Sequence, residues 1–428
     1  MTLPPALNWY RGLTWLATPA LPAVLDRRAR RGKEDPGRRN ERLGYPDRPR
    51  PDGVLVWMHG ASVGESLVLA SLADALVETR PDLNILVTTG TTTSADILSR
   101  RLPPRAFHQY VPVDTPGAAR RFMAHWAPDL AVFAESELWP NLIVAAHRHS
   151  VPLMLVNARM NARSIRSWHR RPDTARWLLG RFDWIGAADI RTRDGLEDLT
   201  GYRMRLPGNL KLEARPLAPP ADAFTAAAEA LAGRRVWLAA STHDGEDAIV
   251  LDAHKQLLAR HPDACLILAP RHPERADGIA LKIADAGLTA LRRSAGGLPD
   301  AHCQVWLADT LGEMALWYGL APAALIAGSL LPDIGGHNPV EASQGGSAVI
   351  SGPHVASFDD LYAAYRRHNA MITAVDAGEL AGAVDCIWSG SGPAQDAAMA
   401  AIAEASGGAM QKTLTAIVER LPDARGRT

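Results

Sequence analysis

Short apolar runs followed by helix-forming stretches recur along most of this 428-residue chain, and that alternation constrains the fold more than any other feature. The runs at 54–58 (VLVWM), 85–89 (ILVTT), 130–134 (LAVFA) and 153–157 (LMLVN) are too short for helices. Near-continuous apolar runs of this length read as strands covered on both faces. Helix patterns lie between them, at 62–79, around 95–101 and after Trp139. Such alternation implies a parallel sheet with helices on both sides. The stretch 215–223 (RPLAPPADA) interrupts it and reads as a linker. The pattern then restarts, with strands expected at 236–240, 265–269, 305–308, 325–327 and 348–350 and a last helix over about 395–421. The expected fold class is α/β, with two Rossmann-like doubly wound domains facing a cleft. They span residues 51–214 and 224–428, the second carrying the terminal helix. Ligands of such sheets bind outside the carboxyl ends of the strands.

Residues 1–50 stand apart. An apolar stretch at 6–25 contains Trp9, Tyr10 and Trp15, and the segment carries 11 Lys or Arg against 5 Asp or Glu. The uninterrupted part of the stretch, 13–25, is shorter than the ~20 residues of a spanning helix, and Pro19 and Pro22 break it. An aromatic patch followed by a basic one suits an anionic membrane surface, so 1–50 is expected to associate with a membrane. A helix packed on the protein with a solvated charged loop is the plainer alternative. The chain as a whole is 47% hydrophobic and 21% charged, which excludes a disordered chain and a polytopic membrane protein. Three scattered cysteines exclude a disulfide framework. A balanced charge of 46 basic and 46 acidic residues, with little interleaving of aromatics and cations, argues against a nucleic-acid partner.

No GxGxxG follows the first strand, and the chain contains no GxxxxGK[ST] or HExxH. What recurs is a strand, a small polar turn and a helix start with an acid: Ser62–Glu65 as SVGE, Thr310–Glu313 as TLGE and Asn338–Glu341 as NPVE. The first two fit a capping box and the third its Asn/Pro variant. In each the acid either satisfies helix N–H groups or meets a ligand at the strand end. Glu65 is the candidate general base, with Gly60, Ala61 and Gly64 leaving room for a substrate hydroxyl. Glu135 and Glu137 flank a strand end beside Trp139, and Lys211, one of few lysines in an Arg-rich chain, sits in GNLK. Pro270–Arg275 (PRHPER) offers two arginines and a histidine to an anion. The glycines of 328–337 allow close backbone approach to a phosphate or nucleoside. Six arginines in 157–176 form either a solvated helix face or a surface for a substrate with several phosphates.

Taken in order, WMHGASVGE (57–65), AESELWPNL (134–142), VNARM (156–160), GNLK (208–211), STHDGE (241–246), PRHPER (270–275), DTLGEM (309–314) and GGHNPVEA (335–342) resemble the 3-deoxy-D-manno-oct-2-ulosonic acid (Kdo) transferases of lipid A. The resemblance implies a glycosyltransferase B fold. It implies an inverting transfer of Kdo from CMP-Kdo to a phosphorylated lipid A precursor, the tetraacyldisaccharide bisphosphate, at the cytoplasmic face of the inner membrane. No metal or other cofactor is implied. It places the base on Glu65 and transition-state stabilisers on Glu135 and Lys211. CMP contacts fall on Pro270 and Arg271, on Gly312, Glu313 and Met314, and on Asn338, Pro339, Val340 and Glu341. Two other readings stay open: a same-fold enzyme using a UDP-sugar, and a non-catalytic membrane scaffold.

Overall fold

The computed structural model describes residues 2–216 and 218–422. Met1 of the expected 1–50 segment, Leu217 of the expected linker and residues 423–428 of the expected second domain lie outside the described residues. The chain divides into two compact units, Met1–Arg215 with Ser406–Thr428, and Pro216–Ala405.

The first unit holds six parallel strands: β1 (Leu55–His59), β2 (Asn84–Thr89), β3 (Ala106–Tyr110), β4 (Leu130–Ala134), β5 (Leu153–Ala158) and β6 (Trp184–Ala187). They lie in the order β3-β2-β1-β4-β5-β6. The central strands are buried along their whole length because helices cover both faces. Trp57, Phe122, Phe133 and Trp126 fill one side; Met58, Val68, Leu72 and Val132 fill the other. Strand order reverses between β1 and β4, so the loops leaving these two strands diverge and open a crevice at their carboxyl ends.

The second unit holds seven parallel strands: β7 (Val236–Thr242), β8 (Cys265–Pro270), β9 (Ala290–Arg292), β10 (Val305–Leu307), β11 (Ala323–Ile326), β12 (Ala348–Ser351) and β13 (Met371–Thr373). Their order is β13-β12-β11-β7-β8-β10-β9, with the reversal between β7 and β11. Trp237, Leu251, Leu266, Leu325 and Leu380 build its core.

Three expectations need correction. The expected last helix is two helices, Gln395–Ser406 and Ala409–Val418, separated by Gly407 and Gly408 at φ +67° and +68°. The second does not belong to the 224–428 domain. Leu414, Ala416, Ile417 and Leu421 share the first unit's core with Leu72 and Leu76. An amphipathic pattern reveals that a face is buried but not which domain buries it. Residues 1–50, expected as a separate segment, are also part of the first unit. Helices Pro5–Leu16 and Leu21–Ala29 lie at its start. The charged stretch that follows is tied down at two acids while Arg27, Arg30, Arg31 and Lys33 stay exposed: Glu41 pairs with Arg38 and accepts from the Tyr110 amide, and Glu34 pairs with Arg28 and Arg42. Among the described residues no helix is long and apolar enough to cross a membrane.

Candidate active site

Glu65 sits in the first turn of the helix Val63–Thr79, directly after β1. The expected capping box forms: Ser62 Oγ accepts from the Glu65 amide at 3.2 Å, while Glu65 Oε2 accepts from the Ala61 amide at 2.6 Å and the Ser62 amide at 3.4 Å. Ser62 Oγ donates to Glu65 Oε1 at 2.7 Å. The residue is only 6% exposed. Three of about four acceptor directions of the carboxylate are thus filled by hydrogen-bond donors, leaving capacity for one more. Gly60 is required here. A Cβ on it would lie 2.9 Å from Glu65 Cβ and 3.3 Å from Oε2, so its absence makes room for the carboxylate itself rather than for a substrate.

Glu135 and Lys211 come together. Glu135 follows β4 with φ +54°, a strained conformation for a non-glycine residue, and its Oε1 lies 2.5 Å from Lys211 Nζ. Lys211 also borders the base turn: a Cβ on Gly64 would lie 3.6 Å from its Nζ. Buried Asn157, in β5, holds the lysine's turn by accepting from the Leu210 amide at 2.9 Å, and Asn209 accepts from the Lys211 amide at 3.1 Å. Gly208, at φ +119°, passes so close to the Ser406 carbonyl that a Cβ would stand 1.8 Å from its oxygen. Glu137 has a different task. It accepts from Trp139 Nε1 at 2.5 Å and lies 3.6 Å from Nε2 of buried His59. Desolvation raises its pKa, but His59 and Trp139 outweigh that and hold it below the usual carboxylate range. One acid of the pair therefore anchors the loop, and the other engages the lysine.

In the second unit the expected contacts lie at the carboxyl ends of β8 and β10 and after β11. Pro270 ends β8, and Arg271 follows it, exposed and without an ion pair among the described residues. Arg275 is not available to an anion as expected, because it already pairs with Asp247 and Asp244. The second capping box does not form. The helix starts at Met314, beyond Gly312 at φ +84°, and Glu313 turns to Arg293 at 2.7 Å. The Arg293 hydrogen bonds hold its pKa below the usual range despite some desolvation. Asn338 Oδ1 accepts from the Val340 amide at 3.0 Å, Pro339 precedes the helix Val340–Gln344, and the Val340 side chain is buried. Glu341, in the first turn, has more than a third of its surface exposed and forms no ion pair among the described residues. Nearby protein nonetheless desolvates its carboxyl enough to raise the pKa.

Sequence reasoning missed what holds the 328–337 turn. Fully buried Glu246 accepts four backbone amides: His243 at 3.0 Å and Gly328 at 2.8 Å on Oε2, Ser329 at 3.1 Å and Leu330 at 3.0 Å on Oε1. It thereby ties the loop after β7 to the loop after β11, across the point where the strand order reverses. Beside it, His243 and His337 stack with their Nε2 atoms 2.9 Å apart. Desolvation lowers the pKa of both; Arg271 adds to this for each, His243 for His337, and His272 and Arg275 for His243, while Glu246 opposes it.

A family model described as 3-deoxy-D-manno-octulosonic-acid transferase (kdotransferase) matches residues 37–214. The chain is 36% identical over 392 residues to a probable mitochondrial 3-deoxy-D-manno-octulosonic acid transferase of Arabidopsis thaliana, covering 89% of this chain and 87% of that one. It is 37% identical over 323 residues to a 3-deoxy-D-manno-octulosonic acid transferase of Bordetella pertussis, covering 73% and 74%. Among solved structures, a glycosyltransferase from Rickettsia africae matches with a TM-score of 0.53 at 11% identity, over 87% of this chain and 100% of that one. That last likeness is one of fold, the two-domain α/β arrangement of the glycosyltransferase B type.

Proposed function

The chain belongs to the 3-deoxy-D-manno-octulosonic acid transferase family, and from that premise we propose that it moves Kdo from CMP-Kdo to a hydroxyl of a phosphorylated lipid A precursor. The transfer is inverting. Glu65 takes the proton of the acceptor hydroxyl as that oxygen bonds to the anomeric carbon of Kdo. The bond from that carbon to the CMP phosphate breaks, and CMP leaves with the electron pair. Lys211 offsets negative charge on the sugar carboxylate or the departing phosphate, and Glu135 aims the lysine. Arg271 and the helix start at Met314 serve the CMP phosphate, and Glu341 accepts from the ribose hydroxyls. Working at the cytoplasmic face of the inner membrane, the protein meets its acceptor through the arginines of 159–176, and residues 1–50 face an anionic bilayer.

The observation that most supports this reading is the grouping of a capped carboxylate with a carboxylate-held lysine after β1 and β4, at the crevice of the first unit. An acceptor-side base and a neutralising cation are what an inverting transfer without a metal requires. The test is to incubate purified protein with CMP-Kdo and a tetraacylated disaccharide bisphosphate and to weigh the lipid product. Addition of one or more Kdo units is expected. An unchanged acceptor mass, or a clear preference for UMP over CMP in titration, contradicts the proposal.

A further inference from the structure

The Pro5–Leu16 helix is pinned by its polar face and bare on the other. Tyr10 Oη donates to Asp114 at 2.9 Å, Arg11 donates to Asn141 Oδ1 at 3.0 Å, and Asn141 Nδ2 donates to Thr14 Oγ1 at 3.1 Å. Asp114 in turn accepts from the amides of Asn141 and Leu142. This network fixes how the helix is rotated. On its open side Trp9, Leu13 and Leu16, spaced as one stripe, are 73%, 59% and 67% exposed. Large apolar side chains held outward by a rigid anchor mark a surface with a function.

Beside the stripe lies a cavity of about 280 Å³, lined by Arg11, Trp15, Gly117, Arg120, Asn141 and Arg148 among others. No acid lines it. Arg120 and Arg148 are exposed and make no ion pair among the described residues, and Arg11 spends one N–H on Asn141. Desolvation and then repulsion from Arg148 lower the pKa of Arg11, outweighing the opposite pull of Asp114, which lies behind the helix and is already bonded to Tyr10 and Asn141. The first turn of the helix Pro116–Trp126 adds its partial positive charge at the same place. Forked guanidinium donors, a helix start and no carboxylate suit a phosphoryl group. The adjoining aromatic stripe indicates where that phosphoryl group resides: at the level where tryptophan prefers to sit in a bilayer.

We propose that the Arg11–Arg120–Arg148 cavity receives the phosphoryl headgroup of an anionic bilayer lipid while Trp9, Leu13 and Leu16 enter the interface. This rests on the membrane-facing reading of residues 1–50 and gives it a specific site. The experiment compares sedimentation of the full chain with vesicles of phosphatidylcholine alone and of phosphatidylcholine with phosphatidylglycerol. An Arg120→Gln/Arg148→Gln variant, altered only at exposed positions, is expected to lose about tenfold in partition to the anionic vesicles. Its weak binding to neutral vesicles and its Kdo transfer to detergent-dispersed acceptor should be unchanged. A Trp9→Ser/Leu13→Ser variant should lose binding to both vesicle types. Undiminished binding of the arginine variant to anionic vesicles overturns the proposal. So does a raised KM for detergent-dispersed acceptor, which would assign the cavity to the acceptor's phosphates. Vesicle binding is read without turnover, so absence of Kdo transfer would count against the proposed reaction and leave this measurement intact.

Discussion

Substituting Glu246 by Gln changes one atom and tests whether a buried carboxylate holds the 328–337 loop. The carboxylate accepts two amides on each oxygen. A glutamine keeps one acceptor oxygen but turns its NH2 toward the other two amide donors, whichever way the group is flipped. Two buried N–H groups then lose their partner, at about 1–3 kcal/mol each. The remaining two bonds lose their charge assistance. A total of about 3–4 kcal/mol is expected, within what disrupting a buried charged network costs. The loss should be local, in the loops after β7 and β11. Amide hydrogen exchange followed by mass spectrometry reads it directly: peptides containing residues 328–330 should exchange about 10²–10³-fold faster than in the wild type. CMP affinity should fall at least tenfold, because the 328–337 turn carries the expected nucleotide contacts at its end. Exchange within threefold of the wild type would refute the reasoning and show that the loop is held by something other than Glu246.

Three further outcomes follow from the geometry. Lys211→Met leaves Glu135 without its cation and should lower the rate of Kdo transfer about 10²–10³-fold with CMP binding intact, as measured by single-turnover kinetics and calorimetry. Gly60→Ala forces the Glu65 side chain to shift, and steady-state assays should find a loss of about 10²-fold in kcat, with a stability cost of about 1–3 kcal/mol in urea unfolding. His254 is buried with Nδ1 accepting from Trp237 and Nε2 facing the Gln304 carbonyl, and desolvation lowers its pKa to about 4. Its folded pKa lies below the unfolded one, so stability is full above about pH 6.5 and erodes as pH falls toward 4. Urea unfolding should lose about 2 kcal/mol from this group between pH 7 and pH 5, and a His254→Gln variant should lose less over the same interval.

The sheets were legible in the sequence to a specific depth. Each strand that the apolar runs reveal is an interior strand, and the four they miss, β3, β6, β9 and β13, are the edges of the two sheets. Interior parallel strands are buried on both faces and read as unbroken apolar runs, whereas edge strands such as AFHQY and ALR are only partly covered and carry polar residues. The site divides in the same way. The Glu65 cap is a local pattern and forms as read. The Glu135–Lys211 pair was legible only through family resemblance, since 76 residues separate the partners in number alone. The Asn157–Leu210 and Glu246–Gly328 bonds join positions 53 and 82 apart, and no local signature announces a carboxylate that serves backbone amides of a distant loop. TLGE shows the converse, because a fitting local pattern yields when Arg293 offers the acid a stronger partner than the helix start.

The central claim is that the Glu65 carboxylate removes the acceptor's proton. Glutamine at this position can keep the cap, since its carbonyl accepts from the Ala61 amide and its NH2 donates to Ser62 Oγ, but it cannot take a proton. Measured by mass spectrometry of the lipid product under single-turnover conditions, Glu65→Gln should transfer Kdo at least 10³-fold more slowly than the wild type while binding CMP equally well. Transfer within tenfold of the wild-type rate would contradict the account.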